Sequence, residues 1–237
     1  EPVAGRVDTG EETPVVGALV VAHDPASARD LLAVGTGSTS LNFLDASTGE
    51  LLEDVVSPYG LPDRIWAHVS ASGRLQFLVG HSWLTCGSSV RAWSPPPQAG
   101  EGISFQRSMD LLGRTVDGWD SCGVVDFWVG PLIPDMPERV VVLRHGAVNQ
   151  ITVYDEATGD PLWDAGLGGA PVALAVVAGS ESSSARIYVV EQFGWLVEFD
   201  GTGRRVWATL VARSLRVMYA DPAGDLVLWN REEVFMI

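Results

Sequence analysis

Apolar and polar positions along the chain alternate in short bursts, and none of the bursts is long enough for a helical stripe. A run of β-forming residues leads into a cluster of Pro, Gly, Ser or Asp, and a second apolar run follows. The second runs read LLAVG (31–35), QFLVG (76–80), VVVLR (140–144), YVVE (188–191) and LVLWN (226–230). A third run follows each: SLNFLD, SVRAWS, QITVYD, WLVEFD and EVFMI. Fourth runs occur in LLEDV, ISFQRSM, PLWDAG and RVWATLV. In QITVYD, successive residues would point to opposite faces of a strand. Four antiparallel strands per repeat is the arrangement of a propeller blade.

The spacing agrees with that reading. With Gly35, Gly80, Arg144, Glu191 and Asn230 taken as equivalent, the gaps are 45, 64, 47 and 39 residues. The long gap absorbs insertions in the second and third copies, and the others match a blade of about 40–50 residues. The expected fold is all-β: a single propeller of five four-stranded blades. The expected blade limits are 15–60, 61–112, 122–168, 169–212 and 213–237 together with 1–12. The N-terminal strand, near Val3–Val7, would close the ring against Val234–Ile237 and remove an exposed edge. The alternative is a piece of a propeller with more blades.

The tract YDEATGDPLW (154–163) has acidic residues that invite a catalytic reading, yet related tracts recur at Asp45–Gly49 and Asp200–Gly203. Asp and Thr satisfy local backbone groups, and Gly accepts positive φ, so the tract reads as a turn between third and fourth strands. Asp155-Glu-Ala-Thr-Gly159 followed by Trp163, and Asp200-Gly-Thr-Gly203 followed by Trp207, resemble the D-x-x-T-G-x-x-x-W repeat of the quinoprotein-type (PQQ-like/WD40-like) propeller superfamily. The first copy has Glu53 where the tryptophan would fall, and the second replaces the turn with Ser94-Pro-Pro-Pro. The resemblance implies that Trp163 and Trp207 pack between blades. It also implies a scaffold used by many non-enzymatic proteins. Redox members carry a metal-assisted quinone site, for which this sequence supplies no recognisable equivalent, and no cofactor is expected.

Composition narrows the function classes. Of 237 residues, 30 are acidic and 15 basic, a formal net charge of −15. Every basic residue is an arginine, which excludes Schiff-base lysine chemistry. Such a surface repels phosphate backbones and anionic membranes, so no nucleic-acid partner is expected. The apolar runs are far shorter than the roughly 20 residues that cross a bilayer as a helix, so no membrane insertion is expected. No G-x-S-x-G elbow, P-loop or dinucleotide fingerprint is present.

Cys86 and Cys122 fall in loops expected on one face of neighbouring blades. A disulfide between them, with export to an oxidising compartment, is the first reading, and two unrelated buried thiols the second. His23 and His68 each lie 11 positions before Val34 and Val79, and His81 and His145 directly follow Gly80 and Arg144. No H-x-H or H-E-x-x-H spacing joins them, so they read as structural or surface histidines and no metal site is expected. His81, His145, Gln192 and Arg231, with Thr36, would surround one face of the disc. Tyr59, Trp83, Trp119, Asp120 and Arg213, from nearby loops, would complete a polar and aromatic recognition surface. The expected function is therefore a non-enzymatic binding or scaffold module that recognises a protein or other ligand through that face, the acidic groups favouring a basic protein partner and carbohydrate being the other ligand class. The alternative is a carbohydrate-active enzyme or lectin using carboxylates such as Asp24, Asp120, Asp126 and Glu191 in the central depression.

Overall fold

The computed structural model describes residues 16–37, 39–56, 61–69, 73–82, 88–94, 104–110, 124–146, 148–180, 184–212, 215, 217–220, 225–230 and 233–237. Nineteen strands are described. The first blade contains β1 (Val16–Asp24), β2 (Arg29–Thr36), β3 (Ser40–Asp45) and β4 (Leu51–Val56). The second contains β5 (Leu61–Val69), β6 (Leu75–Ser82), β7 (Ser88–Ser94) and β8 (Ser104–Asp110). The third is β9 (Val124–Gly130), β10 (Arg139–Arg144), β11 (Gln150–Asp155) and β12 (Pro161–Gly166). The fourth is β13 (Pro171–Val177), β14 (Arg186–Glu191), β15 (Trp195–Asp200) and β16 (Arg205–Leu210), and the fifth has β17 (Val217–Ala220), β18 (Leu226–Trp229) and β19 (Val234–Met236). Each blade is an antiparallel meander in sequence order, four of four strands and one of three among the described residues. The expected closing strand, Val3–Val7, lies outside the described residues.

The first strands of successive blades pack side by side in the order β1, β5, β9, β13, β17, so they line the inner edge of the propeller. Four apolar clusters then fill the gaps between blades. Leu31, Ala33 and Phe43 meet Phe77 and Val79 between blades one and two, with the Phe43 and Phe77 rings 5.3 Å apart. Leu78 and Val90 meet Phe127 and Val140 between two and three. Leu143 and Ile151 meet Ile187 and Phe199 between three and four. Tyr188 and Leu196 meet Met218 and Leu228 between four and five. Central strands are apolar on both faces because each face meets a neighbouring blade, whereas the fourth strands are largely exposed (β12 and β16 on most positions).

The YDEATGDPLW tract is architectural. Asp155 Oδ1 accepts the amides of Ala157 and Thr158 at 3.0 and 3.1 Å, and Gly159 has φ 76°. Asp45 does the same for Ser47 and Thr48, with Gly49 at φ 76°, and Asp200 accepts from Thr202 and Arg204 ahead of Gly203 at φ 86°. The Trp163 indole packs on the turn of the next blade and donates to the Gly201 carbonyl at 3.2 Å. Trp207 joins the cluster between blades four and five, 6.2 Å from the Tyr188 ring. Both tryptophans thus hold blades together.

Two sequence alignments require correction by one residue. Each first strand of blades one to four bulges where it meets the end of the second strand: Val16/Ala18, Pro62/Arg64, opposite Leu143/Arg144 in blade three, and Pro171/Ala173. Matching the bulges makes Gly35 and Gly80 equivalent to Leu143 and Val190, in place of Arg144 and Glu191. The positions after them are therefore Thr36, His81, Arg144 and Glu191, so His145 and Gln192 are not the counterparts of His81. The second correction concerns His23 and His68. Val34 pairs with Leu19 and Val79 with Ile65, so His23 stands four residues beyond its pair and His68 three. One residue of strand reverses the side chain's direction. His23 accordingly lies in solvent against Asp30, and His68 lies between blades.

Candidate functional site

The meander places every second-to-third-strand hairpin, and every connection from one blade to the next, on one face of the disc. The Asp-turn hairpins and the first-to-second-strand turns lie on the other. We call these the connection face and the turn face. His145 follows β10 and Gln192 follows β14, both exposed on the connection face. His145 is held by Asn149, whose Oδ1 lies 2.8 Å from Nδ1. Tyr59 belongs to the β4–β5 connection, Trp83 and Cys86 to β6–β7, and Trp119, Asp120 and Cys122 to β8–β9. Arg213 belongs to β16–β17 and Arg231 to β18–β19. These eight residues lie outside the described residues, while the strand ends that flank them are all at the connection face.

His81 is placed differently. It ends β6 and is fully buried, as part of a ring of polar residues at equivalent bulge positions: Thr36, His81, Arg144 and Glu191. Strand alternation turns His81, Arg144 and Glu191 toward the preceding blade, in phase with Val79, Val142 and Val189. Glu191 Oε1 accepts the Gly168 amide at 3.0 Å, tying blade four to the connection from blade three. Thr36 Oγ1 donates to the Ser40 carbonyl at 3.2 Å and thereby closes its own hairpin. These residues form a buried polar layer beneath the connection face, and His81 belongs to this layer, below the exposed rim.

Asp126, beside the bulge of β9, joins three blades. Its Oδ2 accepts the Leu174 amide of blade four at 3.2 Å, and its Oδ1 lies 4.0 Å from Nε of Arg64 in blade two. Burial raises its pKa above the ordinary carboxylate value, opposed by the Arg64 charge. Asp24 is at the far end of β1, on the turn face, where it accepts from the Ser27 hydroxyl and the Ala26 amide. Asp24 and Asp126 are therefore at opposite ends of the first strands that line the inner edge. Asp120, the remaining carboxylate considered for glycoside chemistry, lies outside the described residues.

One feature of the connection face escaped the sequence reading. Gln192–Gly194 forms a short 3₁₀ turn in which Phe193 takes φ 71° while 70% exposed. A bulky residue in the left-handed region is strained, and such strain concentrates at functional sites. Trp195 (43% exposed) and Trp229 (36%) accompany it. All three exposed aromatic residues among the described residues are thus at strand ends of the connection face, on blades four and five. The only signal in the sequence is the interruption Gln-Phe-Gly between two apolar runs.

A family model described as outer membrane protein assembly factor BamB, built on the PQQ repeat, matches residues 129–237. Over that part the chain is similar to PQQ-like propeller repeats. The match covers blades three to five, of which blades three and four keep the turn motif followed by tryptophan. No curated protein sequence matches the chain. Among solved structures, BBS1N in complex with ARL6DN aligns with a TM-score of 0.64 at 14% identity, covering 99% of this chain and 65% of that one. The Dos1 propeller aligns with a TM-score of 0.66 at 11% identity, covering 98% of this chain and 57% of that one. The chain therefore spans roughly three-fifths of the length of the structures it resembles. At these identities the likeness is one of fold. Among the described residues of this propeller, no helix is long and apolar enough to cross a membrane.

Proposed function

We propose that this propeller is a non-enzymatic binding module that takes a protein partner of basic character on its connection face. The observation that carries the reading is the gathering of the exposed aromatics Phe193, Trp195 and Trp229 on that face. Aromatic side chains anchor interfaces because they bury a large area at little conformational cost. The sequence adds Tyr59, Trp83, Trp119, Asp120, Arg213 and Arg231 in connections that start and end there, beside His145 and Gln192. A net charge of −15 would draw a basic partner and speed its encounter. BBS1N, solved in complex with ARL6DN, and a family model described as an outer membrane protein assembly factor are consistent with such a role.

The same description favours export, and Cys86 and Cys122 would then be bridged. The bridge would tie the β6–β7 and β8–β9 connections together and favour the folded state by about 4 kcal/mol in the chain-entropy model. Intact mass should rise by about 2 Da on reduction, since breaking one bridge adds two hydrogens. An unchanged mass with both thiols alkylated under native conditions would remove the bridge and the argument for export.

Binding is tested with a peptide array of acidic, neutral and basic sequences probed with the purified chain. Retention on basic members, weakened by salt and by Trp195→Ala or Trp83→Ala with unchanged circular dichroism, is the expected result. Equal retention by wild type and both variants would place binding elsewhere and overturn the reading.

A further inference from the structure

On the turn face, opposite the proposed binding surface, three potential metal ligands from two blades converge. His68 is near the end of β5 in blade two. Glu138 immediately precedes β10, and Glu156 follows β11, both in blade three. Their ligand atoms all lie within 4.8 Å of one another, and His68 Nδ1 is 3.2 Å from a Glu138 carboxylate oxygen. The His68 and Glu138 side chains are 9% and 23% exposed, and Glu156 is 8% exposed. We propose that His68, Glu138 and Glu156 bind a divalent transition-metal ion of the Zn²⁺ type, which braces blade two against blade three.

Donor chemistry and charge support this assignment together. One imidazole nitrogen and two carboxylate oxygens suit Zn²⁺, whose bonds of about 2.0–2.2 Å place neighbouring tetrahedral ligands roughly 3.4 Å apart. The 3.2 Å separation is close to that spacing, so small side-chain movements complete the set. Two neighbouring, largely buried carboxylates repel each other unless compensated. A divalent cation shared by the imidazole and both carboxylates would hold the two negative groups together across the blade interface.

The repeat makes Glu156 the more telling residue. It is the second position of the Asp-turn, where the equivalent residues are Ala46 and Gly201, and the turn itself needs no carboxylate there. Glu138 aligns with Asp30 and Ala185 through the bonds that Ala46 and Glu156 donate to the carbonyls of Asp30 and Glu138. His68 aligns with Ala22. No other blade with these positions described brings an imidazole to its neighbour's acidic pair, so the constellation is specific to one blade interface.

The test uses the full chain, stripped with chelator and dialysed, with Zn²⁺ uptake measured by calorimetry and elemental analysis. Wild type and His23→Gln, which alters the solvent-exposed histidine, should each take up one equivalent and melt at higher temperature with the ion. His68→Gln and Glu156→Gln should lose affinity by at least about tenfold. Co²⁺ should give visible absorption in wild type and little in the two variants. Should Glu156→Gln fail to fold, Glu138→Gln supplies the same comparison at a more exposed ligand. Absence of stoichiometric uptake by wild type, or undiminished affinity in His68→Gln or Glu138→Gln, would overturn the site.

Discussion

Gly203 and Gly49 each close an Asp-turn with a similar positive φ, yet their surroundings differ. A Cβ on Gly203 would come within 2.7 Å of the Trp163 ring, while one on Gly49 meets nothing within 4 Å. Gly49→Ala should therefore cost only the backbone term, about 1 kcal/mol, and Gly203→Ala about 1–3 kcal/mol more. Urea denaturation of both, with Gly203→Ala repeated in a Trp163→Leu background, would separate the two terms, and equal losses would refute the packing role of Trp163. The turn carboxylates also make an acid prediction. Hydrogen bonds from Thr202 lower the Asp200 pKa to about 2, and local hydrogen bonds lower Asp45 and Asp155 as well. Because the folded values lie below the unfolded ones, their stabilisation is complete above pH about 4. It should fade as pH falls toward 2, and Asp200→Asn should flatten that part of the stability profile. Asp126 has the opposite sign. Its raised pKa means that ionisation penalises the folded state above the folded value, and the penalty disappears below the unfolded one. Asp126→Asn should thus gain stability relative to wild type at neutral pH and lose that gain in acid, as measured by denaturant midpoints across pH.

At the scale of the strand, the repeat was legible because the blades share the same two-residue alternation and three of them, the first, third and fourth, share the same Asp-turn chemistry. QITVYD and WLVEFD announce themselves by composition, and DEATG by hydrogen-bonding capacity. The bulges were not legible. They arise where a first strand bends to approach the next blade, a tertiary demand that leaves no mark in local propensity. That single unmarked residue shifted Arg144 and Glu191 out of line with Thr36 and His81. The difference between exposed His23 and interblade His68 has another source, the one-residue difference in where the β1–β2 and β5–β6 hairpins turn. Gly35 records the same close approach, since an added Cβ would collide with the Pro62 carbonyl oxygen of blade two. The obstacle is rigid backbone, so Gly35→Ala should destabilise by about 1–3 kcal/mol or more. Thermal unfolding of Gly35→Ala beside Gly166→Ala, where nothing lies within 4 Å, measures that difference, and equal melting temperatures would contradict the bulge geometry.

For the molecule as a whole, four interblade clusters make a rigid disc whose two faces have different chemistry. The turn face repeats one Asp-centred hairpin and holds the His68–Glu138–Glu156 constellation. The connection face carries the strained Phe193, the exposed tryptophans and the longer connections, which are freer of the repeat's geometric demands. That division was only partly legible: Gln192 and His145 could be assigned by counting strands, whereas the exposure of Phe193, Trp195 and Trp229 depends on how blades four and five meet solvent. The most direct measurement is amide hydrogen exchange of the chain alone and saturated with the basic peptide retained most strongly. Protection should appear at residues 192–195, 145–149 and 229–234 and spare the turns at 45–49, 155–159 and 200–203. Protection confined to those turns, with the connection face unchanged, would contradict the proposed binding surface.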